Sequence, residues 1–142
     1  MNVLETGFIV LDASVWVSRL VPQDRFHQTV KTWIAFQRSN SVVFLSPALL
    51  LPEIAGAISR RTGNPSLARQ ALERLQNLHA VRLVEMDHSL IQEAVHFAAD
   101  FGLRGADSVY VSLAKRLTLP LATLDNEQKD KASAIVQVLE IE

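Results

Sequence analysis

The sequence predicts an α/β fold: a central, mainly parallel sheet of about five strands flanked by helices. Three observations point there. Short, continuously apolar runs recur along the chain, as strands buried on both faces require. Each run is followed by segments with apolar residues at helical spacing, the alternation that builds parallel sheets. Turn formers stand between them, at Pro22, Gly63, Asn64-Pro65 and Gly102.

Phe8 to Leu11 is the first expected strand. Ser14 is placed to cap a short helix to about Leu20, which Pro22 ends, and roughly Arg25 to Arg38 follows as a second helix carrying Phe26, Val30, Trp33, Ile34 and Phe36. Val42 to Leu45 is the second strand. Ser46-Pro47 reads as an N-cap and first-turn proline opening a helix that runs to Arg61-Thr62 and stops at Gly63. In that helix Pro52 is expected to remove one backbone hydrogen bond and bend the axis.

Asn64-Pro65 opens a helix to about Leu78, and Val81 to Val84 is the third strand. Helices over about His88–Ala99 and Ala106–Leu117 are separated by a turn at Gly102 and Gly105. Leu121 to Leu124 is the fourth strand and Ile135 to Leu139 the fifth. Strand order is not readable from the sequence.

At 142 residues the chain is expected to be one domain, 1–142, long enough for a real core. Hydrophobic content of 49% and charged content of 20% suit a compact soluble protein, and no apolar run is long enough to span a membrane. The N-terminus lacks the basic start of a secretory leader, so a cytoplasmic protein is expected. The absence of cysteine rules out disulfides, thiolate metal sites and cysteine nucleophiles. A formal net charge of -1 argues against a general nucleic-acid coat, although not against a nucleic-acid enzyme.

Four acids stand out because each interrupts an apolar pattern: Asp12 and Asp125 close strands, while Glu53 and Asp107 fall near helix starts. In a parallel sheet, chemistry gathers outside the carboxyl ends of the strands, and helices running back against the strands begin at that same edge. At about 100° per residue, Glu53 lies between Leu49 and Ala57, and Asp107 beside Val111 and Ala114. Neither points squarely to solvent. Taken singly, each has an ordinary reading: Asp12 as a helix cap, Asp107 as an anion at a helix start, Glu53 as a partner of Arg60, Asp125 as a turn residue before Asn126.

Jointly they point to one acidic rim. Carboxylates about 4–6 Å apart repel by roughly 3–4 kcal/mol per pair at an effective dielectric near 20, so such a rim calls for a cation. All-oxygen donors suit Mg²⁺ or Mn²⁺, and phosphodiester hydrolysis is the natural reaction. Ser14 and Thr123 are candidate supporting donors, with N-cap and strand residue as their ordinary roles. Arg60 and Arg104 are candidate contacts for a phosphodiester substrate, with solvated helix ends as their ordinary reading. Asp24, Asp87, Asp100 and Asp130 read as solvated. The four histidines show no metal-ligand spacing, and Trp16, Trp33 and Phe36 read as packing residues of the core or of a dimer.

The strings Val10-Leu11-Asp12-Ala13-Ser14-Val15-Trp16, Leu51-Pro52-Glu53-Ile54-Ala55, Gly105-Ala106-Asp107-Ser108-Val109-Tyr110 and Ala122-Thr123-Leu124-Asp125 resemble the PIN-domain nucleases, most of all the VapC-type toxins of toxin–antitoxin pairs. The resemblance spans nearly the whole chain with the acids in the family's order. It implies a PIN-like three-layer sandwich and a Mg²⁺- or Mn²⁺-dependent endoribonuclease that cuts RNA. It also implies a small antitoxin partner and a homodimer. On the family's pattern Asp12, Glu53, Asp107 and Asp125 are the metal-site acids and Thr123 their polar companion. The alternatives are a PIN-like module that keeps its acids but mainly binds a partner, and a phosphoacceptor domain, which would group two acids together with a lysine nearby.

Overall fold

The structure is a computed structural model and describes residues 7–142. The expectation of a leaderless N-terminus falls largely on residues outside that range. Among the described residues the chain forms β1 (Phe8–Leu11), α1 (Ala13–Leu20), α2 (His27–Ser39), β2 (Val43–Pro47), α3 (Leu50–Thr62) and α4 (Pro65–Leu78). Then come β3 (Val81–Val84), α5 (His88–Phe101), α6 (Gly105–Leu117), β4 (Leu121–Ala122), α7 (Asn126–Ala132) and β5 (Val138–Leu139).

The five strands form one sheet in the order β3-β2-β1-β4-β5, and every pairing is parallel. This is the expected α/β sandwich. Successive strand residues face opposite sides of a sheet, yet Ile9, Val10 and Leu11 are all fully buried, so helices cover both faces of β1. Phe44 of β2 anchors the core between two indoles: Trp16 of α1 meets it edge-on at 5.8 Å, and Trp33 of α2 stacks on it at 5.9 Å. Both tryptophans are buried, which gives them the core half of their expected role. No helix among the described residues is long and apolar enough to cross a membrane.

Most boundaries fall close to expectation, and the differences have local causes. Asp12, not Ser14, caps α1: its carboxylate accepts the Ser14 backbone N–H at 3.2 Å. Ser46-Pro47 does not open a helix. Both residues extend β2, pairing with Leu83 and Val84 of β3, while the buried Ser46 hydroxyl donates to the Leu11 carbonyl at 2.7 Å. Helix α3 therefore starts at Leu50, which puts Pro52 and Glu53 in its first turn. The first helical N–H groups have no internal partner, so Pro52 removes no helical hydrogen bond.

Gly63 ends α3 in the left-handed conformation at φ 65°, as its position after Arg61-Thr62 predicts. Asn64 caps α4 through two backbone N–H groups, with Pro65 at the first helical position. Gly102 alone makes the turn between α5 and α6, at φ 68°, and Gly105 is already helical. Strand β4 is shorter than expected because the backbone N–H groups of Leu124 and Asp125 donate to the Ser14 and Thr123 side chains. Helix α7 was not anticipated. Its only apolar residue is the buried Ala132, and it is held by the Asp125 cap and a Glu127–Lys131 pair at 2.8 Å.

Candidate active site

The strand order supplies what the sequence withheld. Chain progression reverses between β1, whose other neighbour is β2, and β4, which leads on to β5. A crevice opens outside the carboxyl ends of the strands at such a switch point. Asp12 follows β1 directly, and Asp125 follows β4 after Thr123 and Leu124. Helices α3 and α6 begin nearby and bring Glu53 and Asp107 in their first turns.

Asp12 is 5% exposed and held by fixed donors. The Ser14 hydroxyl reaches its Oδ2 at 2.7 Å and the Thr123 hydroxyl reaches the same oxygen at 3.0 Å, beside the Ser14 N–H. Burial pushes its carboxyl up from the ordinary value, and these hydrogen bonds oppose that without reversing it. Capping and site membership are thus compatible for this residue.

Thr123 also lies 2.9 Å from Gln128 Oε1 and accepts the Asp125 N–H at 3.1 Å. One hydroxyl carries one proton, so it cannot donate to both Asp12 and Gln128. Turning the Gln128 amide so that its nitrogen faces Thr123 resolves this, because amide orientation is assigned from the network. Thr123 then accepts from Gln128 and Asp125 and donates to Asp12, and the buried amide nitrogen, otherwise without a partner, is satisfied.

Glu53 does not pair with Arg60. Its Oε1 accepts the Tyr110 hydroxyl at 2.6 Å. Burial raises the Glu53 carboxyl, the tyrosine bond opposes this, and the charge on Asp12 adds to it. Burial likewise drives the Tyr110 phenol well upward, and the hydrogen bond to Glu53 drives it further.

Asp107 registers the whole cluster. Burial first, then the charges of Asp12 and Asp125, push its carboxyl up to about 7; Arg104 opposes this by more than the charge of Glu53 adds to it. A helix start favours an anion by well under 2 kcal/mol, and here that advantage is overwhelmed.

Asp125 caps α7 through the Gln128 N–H at 3.1 Å. Arg104 stands 3.7 Å from Asp125 and 3.3 Å from Glu127, so this arginine already has carboxylate partners. Arg60 lines a cleft of about 600 Å³ together with Ser14, Glu53 and Asp125. Asp24 was expected to be solvated. It is instead a half-buried anchor in the same cleft wall, accepting from Ser18 at 2.7 Å and Arg61 at 2.8 Å. Burial works to raise its carboxyl, but the bonds from Arg61, Ser18 and the Phe26 N–H hold it below the ordinary value.

Two polar residues beside the acids escaped the sequence reading. Tyr110 appears in the Gly105–Tyr110 string without a role of its own, although it lies one turn beyond Asp107. Gln128 carried a capping signal, standing three residues after Asp125.

Among the described residues, no group of three or more acids or histidines forms a ready-made metal cage. The acids nevertheless feel one another strongly enough to move Asp107. Both observations fit carboxylates spread around a rim, each within Coulombic reach, rather than closed on one point.

A parallel α/β sandwich with an acidic rim at its switch point places the chain in a recognisable structural class. The PIN domain model matches residues 9–134, and the chain belongs to the PIN-domain family. Among solved structures, VapC20 of Mycobacterium tuberculosis, a sarcin–ricin loop cleaving toxin, superposes with a TM-score of 0.75 at 20% identity, covering 93% of this chain and 99% of that one. VapBC2 of Rickettsia felis, bound to a DNA fragment from their promoter, gives 0.72 at 10% identity over 95% and 99%. FitAcB of Neisseria gonorrhoeae gives 0.66 at 22% identity over 93% and 96%. At these identities the likenesses establish the shared fold. No curated protein sequence matches the chain.

Proposed function

We propose that the protein is a metal-dependent endoribonuclease and the toxin of a toxin–antitoxin pair. The observation that carries this reading is Asp107, whose carboxyl is driven up to about 7 by burial and three neighbouring carboxylates. Negative charge that Arg104 only partly offsets, at a switch-point crevice, is what a hard divalent ion would relieve.

The donor set fits Mg²⁺ or Mn²⁺: all oxygen, with no sulfur and no histidine cluster. Asp12, Glu53, Asp107 and Asp125 are the residues that would hold the ion. When bound, such an ion lowers the pKa of a water and offsets charge on a phosphoryl oxygen. The protein's own part is preorganisation. Ser14 and Thr123 fix Asp12 through Oδ2, Tyr110 fixes Glu53, and the α7 cap fixes Asp125. Arg60 offers a cation to the RNA backbone on the same cleft.

The family membership and the toxin fold of the neighbours support the nuclease and an antitoxin partner. A homodimer belongs to the same reading, and exposed apolar Val95, Phe101 and Leu117 on α5 and α6 are side chains a second copy would cover. The absence of a preassembled cage among the described residues favours one alternative, a PIN-like partner-binding module with little catalysis.

Cleavage of structured and unstructured RNA with Mg²⁺ or Mn²⁺ separates the two. The enzyme reading expects cutting that Asp12→Asn and Asp107→Asn abolish without unfolding the protein. Undiminished cutting by either variant would sink the proposed site, and an inert parent protein would leave the binding module.

A further inference from the structure

The cleft that Glu53 and Asp125 line is also lined by Arg60, Arg61 and Phe26. On α3, Arg60 lies seven residues beyond Glu53, about 10 Å along the helix axis. Its neighbour Arg61 is neutralised by Asp24, at 2.8 Å. Arg104 is engaged by Asp125 and Glu127. Arg60, in contrast, has no hydrogen-bond or ion-pair partner among the described residues, although it lines the cleft.

A glycine explains where its guanidinium lies. A Cβ added at Gly56 would meet Arg60 Nη1 at 2.9 Å and Cζ at 3.8 Å. Glycine inside a helix costs about 0.5–1 kcal/mol relative to alanine. Here it leaves a notch, and the Arg60 head folds back into it, toward the Glu53 end of α3. Phe26, on the same cleft, is 37% exposed and has the Arg25 guanidinium 4.6 Å from its ring centroid. The loop presenting it is pinned by Asp24, which accepts the Phe26 N–H at 2.9 Å while holding Ser18 and Arg61.

We propose that this end of the cleft is a subsite for one unpaired nucleotide of the RNA, its phosphate on Arg60 in the Gly56 notch and its base stacked on Phe26. The inference rests on the endoribonuclease reading and assigns Arg60 and Phe26 as substrate contacts within that site. Charge complementarity selects this occupant. The carboxylates repel a phosphate chain, so the unpaired arginine beside them is where the backbone finds attraction. An aromatic face can stack a base only when that base is free of its own helix.

The test uses the full chain carrying Asp107→Asn with Mg²⁺, and a labelled oligoribonucleotide presented as a single strand or annealed to its complement. Phe26→Ala should weaken single-strand binding by about 5- to 150-fold, the range a lost base–aromatic stack commonly costs. Phe26→Tyr should stay within about 2-fold of the parent, because it keeps a stacking face. Arg60→Ala should weaken binding and lower the slope of log affinity against log salt by about 0.7.

Gly56→Ala is the sharper probe. The added methyl meets only the far end of a flexible side chain, so the protein should fold and melt a few degrees higher. It should nonetheless lose much of the affinity that Arg60→Ala loses, with no further loss when the two are combined. Duplex binding should change little in all variants. Parental single-strand affinity in both Phe26→Ala and Gly56→Ala would overturn the subsite, as would equal losses on duplex. So would variants that impair only binding of a cognate antitoxin, which would make the cleft end a peptide site. The companion assay on otherwise unsubstituted protein keeps the two readings apart. An inert parent defeats the endoribonuclease reading, whereas an active parent matched in KM by Phe26→Ala defeats only the subsite.

Discussion

Asp107→Asn should make the metal-free protein more stable at neutral to alkaline pH. The folded chain raises this carboxyl from 3.8 to about 7, through burial and then the charges of Asp12, Asp125 and Glu53. Ionising it in the folded state would carry about 4 kcal/mol of penalty if the whole shift counted. The side chain is only half-buried and solvent screens it, so about 1–2 kcal/mol is the usable figure. The sign follows from linkage: the folded state holds the proton more tightly than the unfolded state. Stability from this group is therefore full below about pH 4 and is lost as pH rises toward about 7.

Asparagine never ionises, so the variant escapes that loss. At roughly 3 °C per kcal/mol for a chain of this size, it should melt about 3–6 °C above the parent at pH 8 in EDTA. The gain should fade as the pH approaches 4.5. Adding Mg²⁺ should narrow the gap at pH 8, because an ion that binds only the folded state stabilises the parent by mass action. Calorimetric melts at both pH values, with and without Mg²⁺, test this directly. A variant melting below the parent at pH 8, or shifted equally at both pH values, would show that the four acids do not repel one another through Asp107.

Three further outcomes follow from the same geometry. Tyr110→Phe removes the 2.6 Å bond to Glu53 and should cost about 1–2 kcal/mol in denaturant melts, together with several-fold lower cleavage as Glu53 loses its tether. Thr123→Val keeps the shape but deletes the donor to Asp12 and the acceptor for the Asp125 N–H; a loss of about 1–3 kcal/mol is expected, and a neutral effect would show that Ser14 alone holds Asp12. Phe44→Ala empties the space between Trp16 and Trp33 and should cost about 3–5 kcal/mol in urea unfolding, with the tryptophan emission shifting as the indoles are exposed.

Residue chemistry that repeats on a local period was legible in the sequence. The apolar runs announced four of the five strands within two residues, and Gly63, Asn64-Pro65 and Gly102 marked real helix ends. The candidate acids were legible for the same reason, as charges breaking an apolar pattern. What failed was local signal with two meanings. Ser46-Pro47 fits a helix start, but the partners available across β1 and β3 made it a strand end. Asn126–Ala132 has too few apolar residues to show a period, and only its cap and one charge pair disclose the helix. Arg104 looked free until the fold set Asp125 and Glu127 beside it.

The class of fold and the four acids at element ends are written in the chain itself, because burial of apolar runs and the cost of isolated charge are properties of short segments. That β1 and β4 are neighbours, and with that which acids share a crevice, is set by the packed fold. It also decided their partners, Thr123 for Asp12 across 111 residues and Tyr110 for Glu53 across 57. Strand order and long-range hydrogen bonds depend on which surfaces meet when the helices cover the sheet. That choice is made by the packed chain as a whole and leaves no mark on any one segment.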